Sequence, residues 1–137
     1  MRKDVRLFQK LLLLLYLGVV IYLCFGRFDN LPSVSRTILG IPTDKLVHFA
    51  MFFPLTMLIY WSFNWNTDKP WKSMLLCIVL LLLGLSIGAL TELGQGLTNY
   101  RSRDNMDFVA DMISVSISSF LVFIFELIKH YRQCRKE

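Results

Sequence analysis

Four long stretches without a charged side chain constrain this chain of 137 residues more than any other feature. They contain 16, 22, 19 and 14 residues and are Leu11–Gly26, Leu46–Thr67, Ser73–Thr91 and Met112–Phe125. An α-helix rises about 1.5 Å per residue, so about 20 residues cross the hydrocarbon core of a bilayer. The composition, 55% hydrophobic and 18% charged, also excludes an ordinary soluble domain, a disordered chain and a nucleic-acid-binding module. The sequence therefore predicts an integral membrane protein.

The first and fourth stretches need their flanking residues to reach spanning length. The first gains Leu7 and Phe8, while Lys10 and Arg27 extend to the headgroups. A cleaved signal peptide is the alternative for this segment, but bulky residues stand where a cleavage site needs small ones. The fourth stretch is long enough only if its helix begins near Asn105. We therefore predict a single all-α domain over residues 1–137, a four-helix transmembrane bundle with spans at about 7–27, 45–65, 72–92 and 106–128.

The distribution of Lys and Arg predicts the orientation of this bundle. The N-terminal tail holds four of these residues, the loop between spans two and three holds two, and the C-terminal tail holds four, whereas the opposite side holds five. Because cytoplasmic loops carry an excess of Lys and Arg, both termini are predicted to be cytoplasmic. The net charge of +5 thus indicates orientation, and no nucleic-acid partner is expected.

Polar residues converge at the opposite, extracytoplasmic side. Pro42, Thr43 and Asp44 are typical of a helix start, with Thr43 as the N-cap. Ionisable groups at membrane depth are costly unless they are paired or hydrated, so they mark a candidate functional site. The predicted pocket residues come from spans two, three and four and the last loop: Lys45, His48, Glu92, Gln95, Arg101, Asp104, Asp107 and Asp111.

Small residues predict how the helices bring these side chains together. Gly84 and Gly88 form a small-xxx-small pattern on span three, and Ala110, Ser114 and Ser118 form a second ridge on span four. The spacing of three and four between the aspartates of span four places them on one stripe beside this ridge. A close approach of the two ridges would join the acids of both spans in one pocket.

Two sequence blocks resemble the VanZ-like family of small bacterial membrane proteins. The first is Asp44-Lys45-Leu46-Val47-His48-Phe49, similar to the family's D-K-x-x-H-F. The second contains Glu92 and Gln95 as E-x-x-Q, followed by an R-S-x-D-x-x-D pattern over 101–107. The family commonly has Asn where this chain has Asp111. The resemblance implies a multi-pass protein of the bacterial cytoplasmic membrane, in a family whose namesake is linked to teicoplanin resistance.

Three functions are compatible with these residues. The leading hypothesis is a module that binds an extracytoplasmic cell-envelope ligand, lipid-linked or glycopeptide-related, with a cationic rim of Lys45, Arg101 and Arg103 for a phosphate or carboxylate. It needs no cofactor, and its expected partners are the lipid bilayer and that ligand. The second is a metal-assisted enzyme, in which the acids and His48 hold a divalent metal and act on a phosphate-containing lipid. The third is a scaffold in which the charges form only a structural ion-pair network.

Overall fold

The computed structural model describes residues 2–26, 37–38, 40–65, 67–98 and 104–135. Its elements within these residues are four helices, α1 (Arg2–Phe25), α2 (Thr43–Ser62), α3 (Pro70–Gly96) and α4 (Asn105–Cys134), and two short strands, β1 (Thr37–Ile38) and β2 (Ile41–Pro42). The strands form an antiparallel hairpin in which Thr37 lies opposite Pro42. Gly40 lies in the turn with a φ of 80°, a conformation that glycine adopts without steric cost.

The described residues confirm the prediction of four hydrophobic helices. Each is long and apolar enough to cross a membrane: Asp4–Phe25, Thr43–Ser62, Pro70–Gly96 and Asn105–Cys134. Two predicted details change. Pro42 occupies the N-cap position of α2, so the prediction that Thr43 is the N-cap is wrong by one residue. In addition, α3 continues to Gly96, beyond the predicted end at residue 92, which places Gln95 as well as Glu92 inside the helix.

Three hydrogen bonds give the relative directions of the helices. Ser62 at the end of α2 donates to the carbonyl of Gln9 near the start of α1, at 3.1 Å. Gln95 near the end of α3 donates to the carbonyl of Cys24 at the end of α1, at 3.0 Å. Lys45 at the start of α2 contacts Asp107 at the start of α4, at 2.9 Å. Therefore α1 and α3 run in one direction and α2 and α4 in the other. We call the end where α2 and α4 begin the Lys45 end, and the opposite one the Glu126 end.

The polarity of α4 is inverted relative to a helix of a water-soluble protein. Its buried positions are rich in polar side chains, including Asp107, Asp111, Ser114 and Ser118. Its exposed positions are largely apolar and include Ile113, Ile117, Phe120, Leu121 and Phe125. In water this surface would be unfavourable, whereas hydrocarbon solvates it and leaves the polar groups to pair inside the bundle. The arrangement favours a lipid environment.

Helices α3 and α4 approach each other closely at two glycines. A methyl group added to Gly84 would lie 2.5 Å from Cγ1 of Val115, a fully buried residue of α4. A methyl group on Gly88 would lie 3.3 Å from Oδ2 of Asp111. The small residues predicted to allow close packing therefore do so, and this packing presses α3 against the polar face of α4.

We predict that Gly84→Ala destabilises the bundle. The added methyl overpacks the contact with Val115, which costs about 1–3 kcal/mol of unfolding free energy. The matched control is Gly18→Ala in α1, where no heavy atom lies within 4 Å of the added carbon. This control is expected to be neutral or stabilising by about 0.5–1 kcal/mol, since alanine favours helix. Chemical unfolding in detergent micelles measures both variants, and equal effects would contradict the packing.

Candidate functional site

The ammonium group of Lys45 joins the start of α2 to the start of α4. Its Nζ lies 2.7 Å from Oδ2 of Asp104, 2.9 Å from Oδ1 of Asp107 and 3.2 Å from Oδ2 of Asp44. An ammonium has three hydrogens and no acceptor, so these three carboxylates use its full donor capacity. The charge of Lys45 is therefore already paired with carboxylates of the chain, although its side chain remains 19% exposed.

His48 lies one turn further into the bundle and is 1% exposed. Its Nδ1 is 3.1 Å from Oδ1 of Asp111, whose side chain is completely buried. The hydrogen bond between Nδ1 and Asp111 fixes the orientation of the ring. The opposite ring nitrogen, Nε2, lies 3.7 Å from Oδ2 of Asp107 and has no hydrogen-bond partner among the described residues.

Glu92 reaches the same place from α3. It is 2% exposed, and its Oε2 accepts a hydrogen bond from the backbone N–H of Asp104 at 3.3 Å. Within the described part of the chain, its Oε1 is buried without a partner. One ligand atom each from His48, Glu92 and Asp107 lies within 4.8 Å of the other two. We call the space between these three side chains the chamber.

Two further predicted pocket residues, Gln95 and Asp104, have other hydrogen-bond partners. Gln95 is 1% exposed, but its amide nitrogen donates to the carbonyl of Cys24 and ties α3 to α1. Asp104 is the N-cap of α4, where its Oδ1 accepts a hydrogen bond from the backbone N–H of Met106 at 2.8 Å. The hydrogen bond from Lys45, followed by the one from Met106, holds the pKa of Asp104 below its usual value. Arg101 and Arg103 lie outside the described residues.

A second buried carboxylate, Glu126, was not predicted as a candidate residue. It lies at the Glu126 end, is 2% exposed, and accepts hydrogen bonds from Tyr60 and, at 2.5 Å, from Thr67. Lys129, one turn further along α4, lies 3.3 Å from both carboxylate oxygens. The sequence signal was the charge that ends the fourth apolar stretch. Both oxygens have partners, so this carboxylate links α4 to α2 and to the loop between α2 and α3.

Comparison with known proteins gives one curated relative and no family. The chain is 29% identical over 93 residues to an uncharacterized protein of the fission yeast Schizosaccharomyces pombe. The match covers 68% of this chain and 52% of that protein, so the chain spans about half the length of the relative. No protein-family model matches the chain, and no solved structure matches it.

These findings overturn the assignment to the VanZ-like family. No family model supports it, and the eukaryotic relative argues against a bacterial family. The bacterial cytoplasmic membrane and a link to antibiotic resistance therefore have no support. The structure gives a physical reason why the motifs led to a wrong assignment. Their characteristic residues, including Lys45, His48 and Asp107, form the polar contacts between α2 and α4. Short polar motifs of this kind reflect a pairing requirement.

Removing the phenolic hydroxyl of Tyr60 is expected to destabilise the protein. Tyr60→Phe removes the phenolic hydrogen bond to Oε1 of the buried Glu126 carboxylate and leaves that oxygen, among the described residues, with only the 3.3 Å contact to Lys129, which costs about 1–3 kcal/mol of unfolding free energy. Tyr131→Phe is the matched control, because Tyr131 is 69% exposed on α4, the helix that carries Glu126, and should tolerate the change. Thermal unfolding in micelles compares the two variants. A Tyr60→Phe protein as stable as the control would contradict the structural role of Glu126.

The lowered pKa of Asp104 predicts a pH dependence of stability. A carboxyl group whose pKa is lowered by folding stabilises the folded state at pH values above its ordinary pKa of 3.8. This stabilisation is lost as the pH falls through the lowered pKa. Asp104→Asn keeps an N-cap acceptor but removes the charge that pairs with Lys45. The melting temperatures of wild type and variant should therefore differ near neutral pH and converge in strong acid. A difference that does not change with pH would contradict the ion pair.

Proposed function

We propose that this chain is a multi-pass membrane protein that binds a positively charged or hydrogen-bond-donating group in the chamber. The four helices would cross the bilayer with both termini in the cytoplasm, and the Lys45 end would lie at the opposite face. Two features support this topology: the inverted polarity of α4 and the ten Lys and Arg residues on the side of the termini.

The observation that carries the proposal is a pair of buried polar atoms in the chamber that have no hydrogen-bond partner among the described residues. These atoms are Nε2 of His48 and Oε1 of Glu92. A buried polar atom without a partner costs about 1–3 kcal/mol, and a ligand that donates a hydrogen bond or carries a positive charge recovers this energy. A structural ion-pair network accounts for Lys45, Asp104 and Asp107, but it leaves these two atoms unexplained.

The charges near the chamber favour a cation over the anionic ligand expected from the sequence. That expectation required a cationic rim containing Lys45, whose three hydrogens are instead held by carboxylates. Five acids lie at the Lys45 end, and the ammonium of Lys45 contacts three of them: the five are Asp44, Asp104, Asp107, Asp111 and Glu92. An anion would have to displace one of them at a cost, whereas a cation reduces their mutual repulsion.

The partly exposed side chains of Lys45 and Asp104, at 19% and 42%, mark the boundary between the chamber and the surface. In the proposed orientation this boundary lies at the extracytoplasmic face. A ligand would therefore reach the chamber from the aqueous phase or from the headgroup layer on that side.

A second candidate function is an enzyme acting on a lipid headgroup. It is favoured by the orientation of His48, because a ring fixed at Nδ1 by a carboxylate and free at Nε2 is equipped to take a proton or to hold a metal. Hydrolysis of a phosphate-containing lipid that requires both His48 and Asp111, measured on the purified protein, would favour this candidate over binding alone.

The topology predicts opposite labelling of two cysteines in a membrane-impermeant maleimide assay. Native Cys134 is exposed near the C-terminus, and Asp44 is an exposed residue at the Lys45 end. In unbroken spheroplasts of a bacterial expression host, the cysteine of Asp44→Cys in a Cys134→Ser background should react with the maleimide. Native Cys134 should label only after permeabilisation. Labelling of both positions from the same side would contradict a four-span topology.

The ligand class is tested by the thermal stability of the protein in phosphatidylcholine nanodiscs. The cationic probes are Zn²⁺, Mg²⁺ and the ammonium headgroup of phosphatidylethanolamine, and phosphatidylglycerol is the anionic probe. We expect a cationic probe to raise the melting temperature of wild type and of Asp68→Asn, but not of Glu92→Gln, because Glu92 lines the chamber. Asp68 is 55% exposed at the Glu126 end and matches the charge change. Stabilisation by phosphatidylglycerol alone, or by no probe, would contradict the proposal.

A further inference from the structure

We infer that the chamber is a site for one divalent transition-metal ion, bound by Nε2 of His48 and by one carboxylate oxygen each from Glu92 and Asp107. The inference rests on the proposed function, since it names the cation that the chamber takes. The three residues come from three different helices, α2, α3 and α4, so the ion would join these helices at the Lys45 end.

The positions of the donor atoms are close to those of a metal site. One ligand atom from each of the three residues lies within 4.8 Å of the other two, and Nε2 of His48 is 3.7 Å from Oδ2 of Asp107. Metal–nitrogen and metal–oxygen bonds of about 2.0–2.2 Å place neighbouring ligand atoms roughly 3.4 Å apart in a tetrahedral site. Oε1 of Glu92 has no described hydrogen-bond partner to give up when an ion binds.

Neighbouring side chains form hydrogen bonds that hold two of the ligand residues in place. A metal-bound histidine commonly donates its other ring N–H to a carboxylate, which fixes the ring and increases its basicity. Asp111 occupies this position at 3.1 Å from Nδ1 of His48. Lys45 holds Oδ1 of Asp107, which leaves Oδ2 of the same carboxylate directed toward His48. These two ligands are thus oriented by neighbours before any ion binds.

A second group of three acids at the Lys45 end is already satisfied. Asp44, Asp104 and Asp107 also have carboxylate oxygens within 4.8 Å of one another, but the ammonium of Lys45 contacts all three. The protein's own cation therefore serves that group, whereas the chamber combines buried polar atoms with no described cation in contact with Glu92. An ion in the chamber would leave the Lys45 contacts in place.

The ligand set indicates the class of metal. Two carboxylates and one imidazole suit zinc, manganese, iron or cobalt, whereas calcium and magnesium sites are built from oxygen ligands. Three protein ligands leave at least one coordination position for water or for a group of a bound molecule. The inferred site is thus also able to serve the enzymatic candidate.

The test measures binding of Zn²⁺ and Co²⁺ to the full chain in nanodiscs, by competition with a chromophoric chelator. All proteins carry Cys134→Ser, because Sγ of Cys134 lies 3.7 Å from Nε2 of His130 and this pair would bind zinc separately. We expect one ion per chain and no comparable binding of Mg²⁺. His48→Gln and Glu92→Gln should weaken binding at least 100-fold, and Asp111→Asn 10–100-fold as a supporting residue. Asp68→Asn should leave the affinity within threefold.

The outcomes separate this inference from the proposed function. Absence of stoichiometric Zn²⁺ or Co²⁺ binding, or equal binding by His48→Gln and Glu92→Gln, overturns the metal site. If phosphatidylethanolamine still stabilises wild type in a manner that requires Glu92, the proposed function stands without the metal. If no cationic probe binds, both fail. The visible spectrum of Co²⁺ bound to the Cys134→Ser protein needs no further variant: bands of nitrogen and oxygen ligation support the site, and an unchanged aqueous spectrum overturns it.

Discussion

The pairing of buried charges between α2 and α4 is the constraint on which the rest of the structure depends. Hydrocarbon offers no hydrogen bonds, so polar side chains on a lipid-embedded helix must find partners within the bundle. Lys45 and His48 lie one turn apart on α2, and they meet Asp107 and Asp111, one turn apart on α4. Because these helices run in the same direction, the two contacts form at successive levels and fix the register of one helix against the other.

The two ends of the bundle use this pairing differently. At the Glu126 end, both oxygens of the carboxylate have donors, so the group stabilises the fold and offers nothing to a ligand. At the Lys45 end, pairing stops short of completion, since His48 and Glu92 each retain one buried atom without a described partner. Apolar packing around residues such as Phe52 and Leu80 separates the two ends. The contrast between a satisfied and an unsatisfied carboxylate site locates the candidate function at the Lys45 end.

The sequence allowed much of this arrangement to be predicted, because length and periodicity are local properties. The uncharged stretches predicted four hydrophobic helices, and the small residues around Gly84 predicted the close contact of α3 with α4. The partners of individual side chains depend on how the helices rotate against each other. Gln95 was therefore expected in the pocket, although it bonds to the carbonyl of Cys24, and the contact between Tyr60 and Glu126 was missed. The family resemblance failed because it rested on short polar motifs.

The hydrogen bond between His48 and Asp111 tests this account most directly, and nitrogen-15 NMR in lipid nanodiscs measures it. The chain has two histidines, so His130→Gln leaves a single imidazole to observe. If Nδ1 is bonded to Asp111, we expect a protonated Nδ1 in slow exchange with water, whose chemical shift changes in Asp111→Asn and stays the same in Asp68→Asn. An Nδ1 signal that exchanges rapidly with water, as in an exposed histidine, and is insensitive to Asp111→Asn would contradict the pairing of α2 with α4.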